Sequence, residues 1–184
     1  AVACLYYGLV FFQLKYYTFA LIAFVVLGVI VPFFYYNVFG NAEKQKKIFM
    51  GDTGALTIGV VLSLLSIKLT TISINGVMWS YNPLVVAFAP LMIPCLDVIR
   101  VFFHRIRNGR DPFLPDKNHI HHKFLALGFN TRVTMIIIVC GSLFFSVLNL
   151  YASKYIDIHI LLLLNFAFYG GLNMYLTQKI KHKQ

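Results

Sequence analysis

The chain has 184 residues, 59% of them hydrophobic and 12% charged, with a mean hydropathy of +0.76. That profile excludes an ordinary soluble globular domain. The net charge of +10 does not signal a nucleic-acid binder, because no recognition fold or aromatic-basic platform accompanies it. Cys4, Cys95 and Cys140 lie in apolar segments without paired spacing, which excludes a disulfide framework and a zinc ribbon; we read them as small buried hydrophobes.

Hydropathy runs long enough to cross about 30 Å of hydrocarbon as helix fall at residues 17–36, 50–69, 83–103, 132–151 and 158–177, and a shorter run covers 1–12. The expected fold is all-α: a polytopic integral membrane bundle of five full transmembrane helices plus a truncated first one, all within one transmembrane domain over residues 1–184. The chain starts without Met, without a positively charged n-region and without a cleavage site, so we expect a fragment rather than a signal peptide at this end. Phe33, Phe34, Tyr35 and Tyr36 beside Pro32 suit an interfacial aromatic belt.

Alternating the spans places residues 37–49, 104–131 and 178–184 on one side. Of sixteen Lys and Arg, only Lys15, Lys68 and Lys154 fall on the other. The positive-inside rule makes the basic side cytoplasmic. No repeat, low-complexity tract or soluble domain is visible, and 104–131 is the one long connection, a length usually kept for function.

The first chemical segment is Phe49-Met50-Gly51-Asp52-Thr53-Gly54, at the entry to an apolar helix. Gly51 and Gly54 allow close approach of a ligand, and Asp52 sits where helix amides favour anions. Two readings stay open: an N-cap, or a single carboxylate contributing to a magnesium ion that also holds substrate phosphates.

The second segment runs from Asp97 to Gly128. Asp97 lies three residues before Arg100, so the two can pair on one helical face, yet an intramembrane ionisable group is a functional candidate by default. His104, Arg105 and Arg107 follow at the interface, where snorkelling competes with gripping a diphosphate through the planar guanidinium fork. A turn-rich, proline-stiffened stretch through Asp111 and Asp116 leads into His119-Ile120-His121-His122. If a helix starts near residue 118, His119 and His122 share a face and His121 projects about 100° from His122; if the stretch is extended, His119 and His121 align. Three histidines could hold zinc, but phosphate chemistry prefers oxygen-ligated magnesium, and we read them as hydrogen-bond donors or proton carriers.

Taken together, the glycine-flanked Asp52, Pro94-x-x-Asp97, Arg105-x-Arg107-x-Gly109, Pro112-Phe113-x-Pro115-Asp116-x-x-His119-Ile120-His121-His122 and Gly128-Phe129 closely resemble the polyprenyl-phosphate N-acetylhexosamine-1-phosphate transferases. Those bacterial enzymes begin O-antigen, enterobacterial common antigen or teichoic acid synthesis and are related to the transferase of peptidoglycan lipid I. The resemblance covers nearly the whole chain, and His-Ile-His-His after Pro-Asp looks like the UDP-N-acetylhexosamine branch, since the peptidoglycan branch typically has three consecutive histidines.

The resemblance implies transfer of an N-acetylhexosamine-1-phosphate from a UDP-sugar to undecaprenyl phosphate, with release of UMP, in the bacterial cytoplasmic membrane. The cofactor it implies is magnesium, with manganese as a substitute. Carried over, Asp52 would ligate the metal, Arg105 would hold the diphosphate, and His119, His121 and His122 would act on phosphate or sugar. Gly51, Gly54, Asp97, Arg107 and Asp116 would complete substrate binding. The partners are membrane lipid and the two substrates, with a homodimer left open as an arrangement.

The family's Asp-Asp-x-x-Asp and Asn-x-x-Asp-Gly-x-Asp-Gly motifs do not occur in this chain, which on this reading begins after the second of them. Ala55, where serine is common, and Asp111, where serine often precedes Pro-Phe, are smaller departures. The alternatives are the peptidoglycan-branch phospho-MurNAc-pentapeptide transferase, a transporter or channel, and a non-catalytic lipid-binding membrane protein. A transporter would place polar groups at mid-membrane and break paired helices, whereas here they gather at one face.

Overall fold

The computed structural model describes residues 1–40, 48–72, 82–109, 111 and 119–182. Helices account for the regular structure, and no strand occurs among the described residues. In chain order they are α1 (Val2–Gln13), α2 (Tyr17–Phe39), α3 (Asp52–Ile72), α4 (Pro83–Phe88), a 3-10 turn (Ala89–Leu91), α5 (Met92–Arg107), α6 (Ile120–Ala126), α7 (Thr131–Ala152) and α8 (Ile158–Lys181). Five segments are long and apolar enough to span a membrane: α2, α3, Pro83–Arg107, α7 and α8; α1 is the shorter apolar helix. This is a multi-pass helical membrane protein, as the hydropathy runs predict. Helix α2 outruns its expected end by three residues and α8 by four, because hydropathy marks where apolar side chains stop rather than where the backbone hydrogen-bond ladder stops.

The chain divides into two compact units, Ala1–Pro90 and Leu91–Gln184. In the first, α1 and α2 form a tight hairpin through Lys15, whose φ of 62° reverses the chain. Gly8 lets the helices approach so closely that an added Cβ would lie 2.6 Å from the Phe24 ring. The third expected span is not one helix. Pro90 has no N–H to give to the Val86 carbonyl four residues back, and the helix breaks into α4, a 3-10 turn and α5. Side chains repair the break: the Tyr6 hydroxyl donates to the Val86 carbonyl and the Tyr7 hydroxyl to that of Ala87, both at 2.7 Å, and Ser66 also donates to Ala87. Such repair is what allows proline inside a membrane span, where no water can satisfy a freed carbonyl. Around it Cys4, Tyr7, Phe11, Leu65, Leu69 and Val86 are fully buried.

In the second unit, α5, α6, α7 and α8 close around Met92, Leu96, Ile120, Phe145, Tyr169 and Leu176. The Asn130 side chain caps α7 through the Val133 amide at 2.8 Å, and Asp157 caps α8 through His159 at 2.8 Å. Between α7 and α8, Asn165 donates to the side-chain oxygen of fully buried Asn149, a polar stitch of the kind that joins membrane helices where apolar packing alone has little directional preference. Gly128, at φ 96°, ends α6 by turning the chain left-handed, so that Gly128 and Phe129 donate to the carbonyls of Leu125 and Phe124. Of the cysteines, Cys4 is buried as expected, but Cys95 and Cys140 are exposed. On spans whose outer faces present apolar side chains to acyl chains, a small apolar residue has no need of protein cover.

Candidate active site

In the first unit, Asp52 is the first residue of α3 and is exposed. Its carboxylate takes no hydrogen bond among the described residues, so it does not act as a cap; the Ala55 amide bonds to the Gly51 carbonyl instead. Gly51 and Gly54 do not adopt positive φ, and a Cβ on Gly51 would meet nothing within 4 Å. The result is an open carboxylate at the positive end of a helix, with free space beside Gly51, while a Cβ on Gly54 would lie 3.3 Å from Met50 Cγ. That arrangement fits magnesium, which typically takes one or two carboxylates and fills its other positions with waters and substrate phosphates.

In the second unit, the centre is Asp97 on α5, only 8% exposed. Arg100, one turn later, donates to Oδ1 at 3.0 Å, and the Tyr169 hydroxyl from α8 donates to the same oxygen at 2.9 Å. His119 Nδ1 lies 2.9 Å from Oδ2, and the Ile120 amide donates to that oxygen at 3.3 Å. The carboxylate therefore does three things: it pairs with an arginine on its own helix, fixes an imidazole, and anchors the first amide of α6 to α5. Helix α6 starts at Ile120 with His119 just before it, so the histidine run is half in and half out of helix. The rings of His119 and His121 stack with centroids 5.9 Å apart, and those of His121 and His122 are 4.1 Å apart. They lie side by side rather than converging, and no group of three or more His, Cys, Asp or Glu suited to a metal occurs among the described residues.

Beside them opens a recess of about 810 Å³ lined by Arg100, His104, His122, Lys123, Asn173 and Lys181, among others. Lys123 donates to the Asn173 carbonyl at 3.2 Å and to Thr177 Oγ1 at 2.9 Å. Burial, reinforced by the Arg100 charge and opposed by Asp97, pushes its ammonium down to about 8. Burial also lowers the His121 imidazole, helped by its neighbours His122 and His119 and opposed by Asp97, so His121 is neutral at neutral pH. On the other side of α8 lies an apolar cavity of about 480 Å³ walled by Phe124, Gly141, Phe144, Leu148, Leu164 and Phe168. Neighbouring residues divide the two spaces, with Lys123 facing the basic one and Phe124 the apolar one.

Arg105 is 5% exposed and donates to the Asp111 carbonyl at 3.0 Å, whereas Arg107 is exposed. Asp116 lies outside the described residues. The structure thus gathers Asp97, His119, His121 and His122 at one place in the second unit, with Arg105 tied to the start of the loop. Tyr169, Lys123, Asn173 and Thr177 escaped the sequence reading. A signal existed: Asn165, Tyr169, Asn173 and Thr177 recur every four residues along an otherwise apolar span, which puts them on one helical face.

Fold and site together define a multi-pass helical membrane protein with an anion-suited polar cluster at one end of its helices. Residues 1–70 match the model of the family described as glycosyl transferase family 4. The chain is 31% identical over 135 residues to the undecaprenyl-phosphate alpha-N-acetylglucosaminyl 1-phosphate transferase of Yersinia pestis, covering 73% of this chain and 35% of that protein. To the enzyme of the same name from Pasteurella multocida it is 33% identical over 126 residues (68% and 32%), and to that of Escherichia coli O157:H7 29% over 156 residues (82% and 41%). The chain is similar to glycosyl transferase family 4 over residues 1–70. It spans about a third of the length of the first two of these relatives and 41% of the third. No solved structure matches it.

Proposed function

We propose that this chain serves the transfer of N-acetylhexosamine-1-phosphate from a UDP-sugar to undecaprenyl phosphate, releasing UMP and starting lipid-linked cell-surface polysaccharide synthesis. The observation that carries the proposal is the pair of spaces on either side of α8 and α6, one basic and about 810 Å³, the other apolar and about 480 Å³. An amphiphile with an anionic head and a prenyl tail matches both chemistries. The names of the relatives support undecaprenyl phosphate as acceptor and N-acetylglucosamine as the sugar.

In the reaction, a phosphate oxygen of the lipid attacks the β-phosphorus of the UDP-sugar. The bond from that phosphorus to the bridging oxygen breaks, and UMP leaves with the oxygen. Such chemistry depends on positioning and charge neutralisation. In the second unit, Arg100, His122 and Lys123 draw phosphate oxygens into the recess, Arg105 holds the Asp111 carbonyl and grips the diphosphate, and Arg107 attracts the anionic donor. His119, His121 and His122 meet phosphate or sugar. In the first unit, Asp52 would hold magnesium, with Gly51 leaving room for phosphate; when bound, the metal supplies neutralisation of phosphate charge. By the positive-inside rule the basic end faces the cytoplasm of the bacterial inner membrane, where the water-soluble donor is found.

The test is release of radiolabelled UMP by membranes containing the protein expressed from its complete reading frame, given undecaprenyl phosphate, magnesium and a panel of UDP-sugars. We expect release with UDP-N-acetylglucosamine. Release with UDP-N-acetylmuramoyl-pentapeptide alone would move the protein to the peptidoglycan branch, and no release with any donor would favour a non-catalytic lipid binder.

A further inference from the structure

The four donors around Asp97 are not equivalent. Arg100 and Tyr169 occupy Oδ1 at 3.0 and 2.9 Å, leaving Oδ2 to His119 Nδ1 at 2.9 Å and the Ile120 amide at 3.3 Å. Guanidinium and amide can only donate, and the carboxylate they surround is an acceptor. A close contact between Nδ1 and that acceptor requires the proton to be on Nδ1. The other ring nitrogen, Nε2, has no partner among the described residues, and the side chain of His119 is 33% exposed while the side chain of Asp97 beneath it is 12% exposed. One face of the imidazole is anchored and the other is presented outward.

We infer that Asp97 and Tyr169 are positioning residues that fix His119 as its Nδ1-protonated form, so that Nε2 is the atom that meets the phosphate-bearing substrate. Tyr169 and Arg100 hold the carboxylate so that Oδ2, and not Oδ1, addresses the ring. The bond to the Ile120 amide locks the backbone next to His119, which limits the ring's freedom further. Asp97 thus has no oxygen to spare for substrate and acts through His119, in the way that second partners of imidazoles set the tautomer and orientation of the working nitrogen. The inference rests on the transferase reading above, and its test has one arm that does not need activity.

That arm is nitrogen-15 NMR of histidine-labelled protein in lipid, with the His119 signals assigned by their loss in His119→Asn. Wild type should carry a proton on Nδ1, and Asp97→Asn, whose amide NH2 would face the ring once its oxygen accepts from Tyr169 and Arg100, should move the proton to Nε2. A wild-type ring protonated on Nε2 and bare on Nδ1 overturns the inference whatever the activity. In the UMP-release assay, Asp97→Asn should lower kcat about 100-fold, within the range of proton-transfer groups, with KM changed less than about threefold. Tyr169→Phe should lower kcat about tenfold, the worth of one hydrogen bond to a charged group.

The decisive variant is His119→Asn, which keeps a donor where Nδ1 stands but has nothing at Nε2. We expect it to be as inactive as His119→Ala while remaining folded, and the double variant with Asp97→Asn to be no worse than His119→Asn alone. Near-wild-type kcat in His119→Asn, or losses that multiply in the double variant, would mean that the pair only holds the backbone. Should Asp97→Asn not fold, Tyr169→Phe and His119→Asn still decide the matter. A wild type that releases no UMP overturns the transferase reading and leaves the NMR result standing on its own.

Discussion

Both units bury polar side chains in membrane-grade sequence, but for different ends. In the first, the Tyr6, Tyr7 and Ser66 hydroxyls go to the Val86 and Ala87 carbonyls, backbone groups left bare by a proline. In the second, the hydroxyl of Tyr169 goes to a carboxylate already shared by an arginine and a histidine. The first pattern answers a local defect in a helix and involves no ionisable acceptor. The second assembles ionisable groups from two helices and from the residue that precedes a third, which no local defect requires. The difference between a structural and a working polar network therefore lies in what accepts the hydrogen bond, not in how deeply it is buried.

This contrast can be broken by substitution. Asp97→Ala removes the carboxylate to which Arg100, His119 and Tyr169 bond and should cost about 3–5 kcal/mol, the usual penalty for removing one partner of a buried pair, read from denaturant unfolding in detergent. A loss below about 1 kcal/mol would place the network outside that class. Gly8→Ala pushes a methyl to 2.6 Å from the Phe24 ring and should cost about 1–3 kcal/mol through overpacking, with KM for the donor unaltered. Tyr7→Phe should cost about 1 kcal/mol and leave UMP release intact, because Ser66 still reaches the Ala87 carbonyl; a large loss of kcat here would erase the distinction between the units.

The smallest effect concerns pH. Lys123, lowered to about 8, is charged below that value and neutral above it, so the recess loses one positive charge between pH 7 and 9. Donor KM should rise about threefold over that interval, as expected for one partly screened charge, and Lys123→Arg should flatten the rise. The stability sign is the reverse: the unfolded lysine keeps its proton up to about 10.5, so between the two values the unfolded state binds more protons and the fold gains stability as pH increases.

Five spans were legible because length and apolarity are sums along the chain. The break at Pro90 was not, since a hydropathy sum ignores a missing N–H. The Asp97–Arg100 pair could be read from a spacing of three. The start of α6 was legible only as two alternatives, because the deciding contact is from His119 back to a residue 22 positions earlier. Tyr169 reaches Asp97 across 72 positions, and no spacing rule has that range. Its place in a four-residue polar stripe could have flagged it, and Lys123 was counted as charge when its value lies in what it lines.

The same stripe bears on how the protein is made. Mean hydropathy in α8 is 1.4, against 1.9 to 2.5 in the other candidate spans, because Asn165, Tyr169, Asn173 and Thr177 dilute it. A nascent helix leaving the insertion machinery with that face towards acyl chains would be poorly retained by the bilayer. Helices α5 and α7 precede α8 in synthesis and already carry Asp97 and Asn149, the acceptors for Tyr169 and Asn165. Membrane integration of α8 is thus tied to earlier helices waiting beside it, and a lesion at Asn149 or Asp97 would surface during biogenesis, as a failure of α8 to enter the membrane, before any substrate was met.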